Sequence, residues 1–306
     1  MRLLICVPLL LAGCIAGGDD VPIRQVGSLE NRDLDEASGL ARSTVDADLL
    51  WAINDDGAPT LYGLSRSGKH CGRVAIDDAS NEDWEDLAAF EYDGKSYLAV
   101  ADIGDNESRR PHVTLYIVAE PGSDEEEVPL AWQVNFRYPN GPRDAESLAV
   151  DVAGGFFYIL SKRDIPAVLY AVPLRPGSGE TVIASQLALI SSLPQPSKRQ
   201  KENADKSGWP WQPTAMDFAA DGRSALVLTY GGVYYFARGE QQSWPEALTG
   251  TALELKLGKI KNAEAIAVDE HGMAAFLTVE KQHAPVFRID LADAHMWHIS
   301  NIESLR

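Results

Sequence analysis

Three glutamates head closely related tetrapeptides, Glu85 in E-D-L-A, Glu146 in E-S-L-A and Glu264 in E-A-I-A. Two more copies of the pattern carry a hydroxyl in that place, Ser38 in S-G-L-A and Thr214 in T-A-M-D. If the five positions are equivalent in space, three carboxylates and two hydroxyls surround one locus. Carboxylates a few ångströms apart repel and raise one another's pKa until a cation neutralises them. A hard cation with flexible, oxygen-rich coordination answers that need, Ca²⁺ before Mg²⁺. Ser38, Glu85, Glu146 and Glu264 are therefore the expected metal ligands.

A second set of polar residues follows each head at an aligned position: Asp55, Asp102, Lys162, Tyr230 and Glu280. Asn54-Asp55-Asp56-Gly57 and Asp102-Ile103-Gly104-Asp105-Asn106 surround two of them, and such Asp-Gly and Gly-Asp pairs are also ordinary turn chemistry. Bases gather nearby in Arg109-Arg110-Pro111-His112, Lys162-Arg163 and Lys281-Gln282-His283, with Arg143, Lys259 and Lys261 just before heads. The stretch from Gln195 to Gln212 holds Lys198, Arg199, Lys201 and Lys206 and ends Trp209-Pro210-Trp211. A segment this long without strands of its own is often a lid or binding loop; the alternative is that both tryptophans tuck onto the fold. An acidic centre with a basic rim suits an anion held through a cation, as phosphate esters are. For hydrolysis, Asp102 or a head carboxylate would serve as base toward metal-activated water, with Lys162 and Arg109 beside it. Asn54, Asp55, Arg110, Tyr230, Glu280, Trp209 and Trp211 are the expected ligand contacts. No G-x-S-x-G, H-E-x-x-H or glycine-rich phosphate loop occurs, and the six histidines do not cluster at metal-ligand spacing.

The elements that must position these groups are short strands. Behind each head comes a second run, Leu50-Trp51-Ala52-Ile53, Tyr97-Leu98-Ala99-Val100, Phe157-Tyr158-Ile159-Leu160, Ala225-Leu226-Val227-Leu228 and Ala275-Phe276-Leu277-Thr278. A third run follows in each repeat, and a fainter fourth in all but the last. β-Branched and aromatic runs of this length, bounded by Gly, Asp, Asn and Pro, are strand signals. Four strands recurring every 40 to 50 residues or so make propeller blades. The sequence predicts an all-β, five-bladed β-propeller, with six blades as the alternative. The last repeat is short of chain: beyond Ile289 only Met296 to Ile299 reads as a strand, so Val21 to Leu29 is expected to pair into the last blade and close the ring. In such a ring the first strands line the channel, and the heads and second-strand ends share one mouth.

Residues 1–13 read as a leader rather than fold, with Met1-Arg2 positive and an apolar run from Leu3 to Leu11 too short to span a bilayer. Leu11-Ala12-Gly13-Cys14 resembles the lipobox of bacterial lipoproteins, which implies cleavage before Cys14, its lipidation, a tether over 14–20 and a membrane anchor. By the same resemblance, Ile15 rather than Asp after Cys14 implies the outer membrane, as in the sorting pattern of enteric lipoproteins, and 21–306 is expected to be one domain and a monomer. Cys71 would remain as a lone thiol, expected to pack as a small hydrophobe. The net charge of -18 argues against nucleic acid as a partner. The run Asp124-Glu125-Glu126-Glu127 reads as a solvated turn away from the heads.

The heads, with Leu50-Trp51-Ala52-Ile53-Asn54-Asp55 and Asp102-Ile103-Gly104-Asp105-Asn106, resemble bacterial propellers of the SdiA-regulated and esterase-like-phytase groups. They are more distantly similar to calcium-dependent phosphotriesterase and lactonase propellers. That resemblance implies calcium held by head carboxylates in the channel and hydrolysis of phosphate esters. Ser38 and Thr214, where acids would stand, and the count of five blades depart from it. Two functions follow: an exported, lipid-anchored, Ca²⁺-dependent hydrolase of a small anionic substrate, or a non-catalytic envelope propeller whose mouth binds a protein partner or glycan.

Overall fold

The structure, a computed structural model, describes residues 23–294 and 296 apart from 123, 178 and 201–208. The leader, Cys14 and the tether to residue 20 lie outside the described residues, as do Lys201 and Lys206. Strand β1 (Ile23–Ser28) precedes the first repeat. Blade 1 is β2 (Ala37–Arg42), β3 (Leu49–Asn54), β4 (Thr60–Ser65) and β5 (His70–Ile76). Blade 2 is β6 (Trp84–Tyr92), β7 (Lys95–Asp102), β8 (Val113–Ala119) and, after the two-residue β9 (Glu127–Val128), β10 (Leu130–Arg137). Blade 3 is β11 (Ala145–Asp151), β12 (Phe156–Ser161), β13 (Ala167–Pro173) and, after β14 (Val182–Ile183), β15 (Ser185–Ile190). Blade 4 is β16 (Pro213–Phe218), β17 (Ser224–Thr229), β18 (Gly232–Ala237) and β19 (Ala252–Lys256), with a short helix α1 (Trp244–Thr249) before its last strand.

Among the described residues, blade 5 draws β20 (Ala263–Val268), β21 (Ala274–Val279) and β22 (Pro285–Asp290) from its own repeat, and β1 supplies the fourth strand. β1 runs antiparallel to β22 from Ile23 opposite Ile289 to Ser28 opposite Pro285, and Leu29 N–H extends the seam to Ala284 O at 2.8 Å. The chain is a five-bladed β-propeller closed by its N-terminal strand, as the shortage in the last repeat predicts.

Burial explains the strand patterns. Every residue of β3, β17 and β21 is buried, since these strands lie inside a blade with a neighbouring blade on each face. Outer strands alternate: in β10, Val134 and Phe136 turn in while Ala131, Gln133 and Arg137 turn out. The core lies between blades, with Trp51, Trp84 and Leu98 joining blades 1 and 2, and Phe90, Phe157 and Tyr170 joining blades 2 and 3. Inner strands approach closely. A Cβ on Gly39 of β2 would stand 2.7 Å from Leu87 N of β6, so only glycine lets these two first strands meet.

Three expectations need correction. Cys71 is exposed, because it sits on the outward side of the edge strand β5. The acidic run is more than a turn: Glu127 and Val128 pair in parallel with Ala75 and Ile76, and so cover the free edge of blade 1. β14 covers blade 2 the same way, against Phe136 and Arg137. Met296 lies in a helical turn and not a strand, since β1 already fills the place beside β22; Trp297 to Ile299 lie outside the described residues.

Candidate functional site

Each head is the extra residue of a β-bulge. The pairing of first with second strand skips Ser38, Glu85, Glu146, Thr214 and Glu264, one in every blade. A bulge leaves one residue unpaired and re-aims its side chain. The two hydroxyl heads then act alike: Ser38 Oγ donates to Trp84 O (2.7 Å) and Thr214 Oγ1 to Ala263 O (2.9 Å), each reaching the residue before the next blade's head. They staple blades 1 to 2 and 4 to 5.

The glutamate heads instead face a cavity of about 210 Å³ at the channel mouth. Glu85, Glu146 and Glu264 line it together with Ser38 and with the second-strand ends Asp55, Lys162, Tyr230 and Glu280. Thr214, fully occupied as a staple, does not. Glu36, Asp83 and Asn106 complete the wall. Among the described residues of the wall, seven carboxylates face one ammonium, Lys162, which pairs with Glu146 Oε1 and lies 5.6 Å from the centre of the Tyr230 ring. The field is strong. Burial, and then Asp83, push the Glu85 carboxyl well above its ordinary value, with Lys162 pulling back. Burial lifts Glu264 to about 7 against the pull of Lys162. Burial and Glu36 lift Asp55 to about 7, and burial and Glu264 raise the Tyr230 phenol.

Carboxylate oxygens of Glu85, Asp144 and Glu146 lie within 4.8 Å of one another, and all three residues are buried. Glu146 is 3% exposed, and its Oε2 is buried without a hydrogen-bond partner. Gly104 makes the approach possible: a Cβ there would overlap Asp83 and the Oε1 of Glu85. Three hard oxygen donors, one of them orphaned, fit a divalent cation such as Ca²⁺. A second group, Glu36, Asp55 and Asp56, lies on the blade 1 side, where Asp55 Oδ1 is also buried without a partner.

Asp144, Asp83 and Glu36 were not among the expected site residues. The signal was present two positions before each head, where the repeats carry Glu36, Asp83, Asp144, Gln212 and Asn262. A further residue gave no signal. Asp86, one place after the blade 2 head, is buried in the channel wall and accepts from Leu87 N (2.9 Å), Leu148 N (2.7 Å) and Met216 N (3.1 Å), joining blades 2, 3 and 4.

Other expected residues lie elsewhere. Asp102 is buried behind the cavity, paired with Arg110 at 2.7 Å and accepting from Asp83 N at 3.2 Å; burial raises its carboxyl and Arg110 offsets this. Asn54 holds the loop before β2, donating to Asp33 O at 2.7 Å and accepting from Glu36 N. Arg109 is exposed and pairs with Glu107. Arg110 also donates to Gly104 O (2.8 Å) and faces Glu82 (3.4 Å), Arg163 pairs with Asp144, and Arg143 faces Asp164 (3.5 Å). Trp209 is 8% exposed, and Trp211 packs against the core between blades 3 and 4. The tryptophans thus tuck onto the fold.

No family model and no curated protein matches this chain. Among solved structures it is similar to Raptor of Chaetomium thermophilum, at 13% identity and a TM-score of 0.45 over 89% of this chain and 29% of that one. It is also similar to the WD40 repeats of RRP9, at 12% identity and a TM-score of 0.41 over 83% of this chain and 67% of that one. The chain therefore spans under a third of the Raptor chain. Likenesses this distant concern architecture alone, and here the strand pairing establishes the propeller on its own.

Proposed function

We propose that this propeller binds a divalent cation, Ca²⁺ before Mg²⁺, at its channel mouth, and that the ion allows an acidic mouth to take up an anionic group. The observation that carries the reading is the orphaned, buried Oε2 of Glu146 beside Glu85 and Asp144. Glu85, Asp144 and Glu146 would hold the ion, with Glu264, Asp83 and Ser38 at hand in the same wall. An ion there would supply Lewis acidity and a more acidic bound water, the chemistry that phosphate-ester hydrolysis needs. Lys162 is the one ammonium among the described residues of the wall and would orient an anion; Glu264 and Asp55, both raised to about 7, are the cavity carboxyls suited to exchange a proton near neutrality. The likeness of the heads to the SdiA-regulated and esterase-like-phytase propellers supports the same choice. We also propose that the protein is exported, lipidated on Cys14, anchored to the outer membrane and monomeric, on the strength of Leu11-Ala12-Gly13-Cys14.

One observation favours the non-catalytic alternative, an envelope propeller that binds a protein or glycan. Arg110, Arg143 and Arg163 face Asp102, Asp164 and Asp144, so they are spent within the fold rather than presented to a substrate.

The test is a melting curve of the protein stripped by chelator, with and without added Ca²⁺. An ion bound only by the folded state adds roughly 2.7 kcal/mol at about 100 times its dissociation constant. A stabilisation lost in Glu85→Gln and Glu146→Gln locates the ion and justifies a phosphoesterase screen. No stabilisation by Ca²⁺ or Mg²⁺ would refute the metal site.

A further inference from the structure

The far end of the channel holds a second cavity, of about 560 Å³ against about 210 Å³ at the acidic mouth. It opens where β2, β6, β11 and β16 end, away from the heads, and its volume suits a small organic ligand. Between the two mouths Asp86 crosses the channel from β6 to β11 and β16. The wall sets apolar groups, among them Phe90, Val150 and Phe218, beside charges of both signs: Arg42, Arg238, Glu91, Asp151, Asp217 and Asp221. None of these six takes part in an ion pair among the described residues. At the acidic mouth, by contrast, Lys162, Arg110 and Arg163 are all paired.

Some of the six have local duties. Arg238 is held over the Trp244 ring (4.8 Å) by bonds from Nε to Gln242 O (2.7 Å) and from Nη1 to Gly222 O (2.9 Å). Asp151 and Asp221 accept from backbone N–H groups of their own turns, and Glu91 is exposed. Arg42 and Asp217 differ. Arg42, the last residue of β2, is half-buried, and among the described residues its guanidinium makes one long hydrogen bond, from Nη1 to Ser43 O (3.4 Å). Asp217 of β16 accepts from Val268 N (2.7 Å), and burial lifts its carboxyl to about 6 although Val268 N–H, Arg42 and Phe218 N–H pull back. The two side chains therefore sense each other between blades 1 and 4, which are not neighbours in the ring, yet stop short of an ion pair.

We infer that this cavity binds a small zwitterion, an apolar amino acid or a short apolar peptide, with its carboxylate on Arg42 and its ammonium on Asp217. A simple anion would meet four carboxylates in the wall, and a simple cation would meet two guanidinium groups. A ligand carrying both charges on an apolar body answers each, with the guanidinium fork matching a carboxylate and the apolar part lying along Phe90, Val150 and Phe218. An ammonium at Asp217 also offsets the cost of burying that carboxylate. The inference does not depend on a cation in the acidic mouth.

Calorimetric titration of the protein in chelator with leucyl-phenylalanine, and in parallel with free phenylalanine, tests it. Saturable binding is expected, and the tighter of the two probes tells a peptide site from an amino-acid site. The N-acetyl and C-amide forms of that probe, which lack the ammonium or the carboxylate, should each bind about tenfold or more weakly. Arg42→Gln should bring the free probe down to the affinity of its amide and leave the amide unchanged; Asp217→Asn should do the same toward the acetyl form. Asp217→Asn keeps an acceptor for Val268 N, and Arg42→Gln gives up only the long bond to Ser43 O. Should either variant fail to fold, the blocked probes on the wild type still decide. Absence of saturable binding by both probes would overturn the inference. So would blocked forms that bind as tightly as the free one, or folded variants that weaken free and blocked forms alike.

Discussion

Glu264→Gln should stabilise the metal-free protein at pH 8 and weaken its response to Ca²⁺. The Glu264 carboxyl rises from 4.5 to about 7, chiefly because burial disfavours its charge. At about 1.4 kcal/mol per pH unit, the charged form costs the folded state up to roughly 3 kcal/mol above pH 7. Solvent in the open mouth screens part of this, so about 1.5 kcal/mol is the working figure. The sign follows from a folded pKa above the unfolded one: the cost is absent below pH 4.5, grows between 4.5 and 7, and is complete above 7. Metal-free wild type should therefore lose stability as pH rises from 5 to 8, and Glu264→Gln should lose less. In a chain of 306 residues 1.5 kcal/mol moves the melting temperature by roughly 2–3 °C. The assay is a set of melting curves for both proteins in chelator at pH 5, 6.5 and 8, then with excess Ca²⁺ at pH 8. If Glu264→Gln melts lower than wild type in chelator at pH 8, the charge is not disfavoured and the electrostatic reading of the mouth is wrong.

Asp86→Ala removes the acceptor of three backbone N–H groups, so urea unfolding should show a loss of about 3–5 kcal/mol at unchanged m, while Asp86→Asn should cost less. Gly39→Ala places a methyl against Leu87 N and should cost about 1–3 kcal/mol by the same measurement. Lys162→Met takes the competing ammonium from the mouth, so Ca²⁺ affinity by titration should rise about tenfold or more; a lower affinity would mean that Lys162 supports the ion instead. Cys14→Ser should abolish incorporation of labelled palmitate and release the protein from the membrane fraction.

The repeat was legible because propeller blades reuse one pattern, and a pattern copied five times stands out where a single copy would not. From it followed the strands, the blade count and the closing role of β1, whose need was visible as missing chain after Ile289. The bulged heads were legible as equivalent positions, so Glu85, Glu146 and Glu264 could be placed at one mouth with Asp55, Lys162, Tyr230 and Glu280. The short helix α1, with Ser243 and Glu246 forming a capping box at its start, was not among the expected elements, because the repeated strands overshadow a signal that occurs in one blade.

What the sequence could not decide is which neighbours each side chain meets across blades. Ser38 read as a metal ligand and Thr214 as a head in the same ring, yet their hydroxyls are short enough to be satisfied by the adjoining backbone, and Thr214 does not line the cavity. The bases read as a rim around an anion, yet Arg110, Arg143 and Arg163 turn to nearby acids, because a buried carboxylate draws in any cation within reach. Asp144 joins Glu85 only because blades 2 and 3 stand side by side, a contact between residues some sixty positions apart. Local pattern determined the elements and their repeat; contacts between blades, which have no period along the chain, decided which polar atoms were satisfied and which were left open for a ligand.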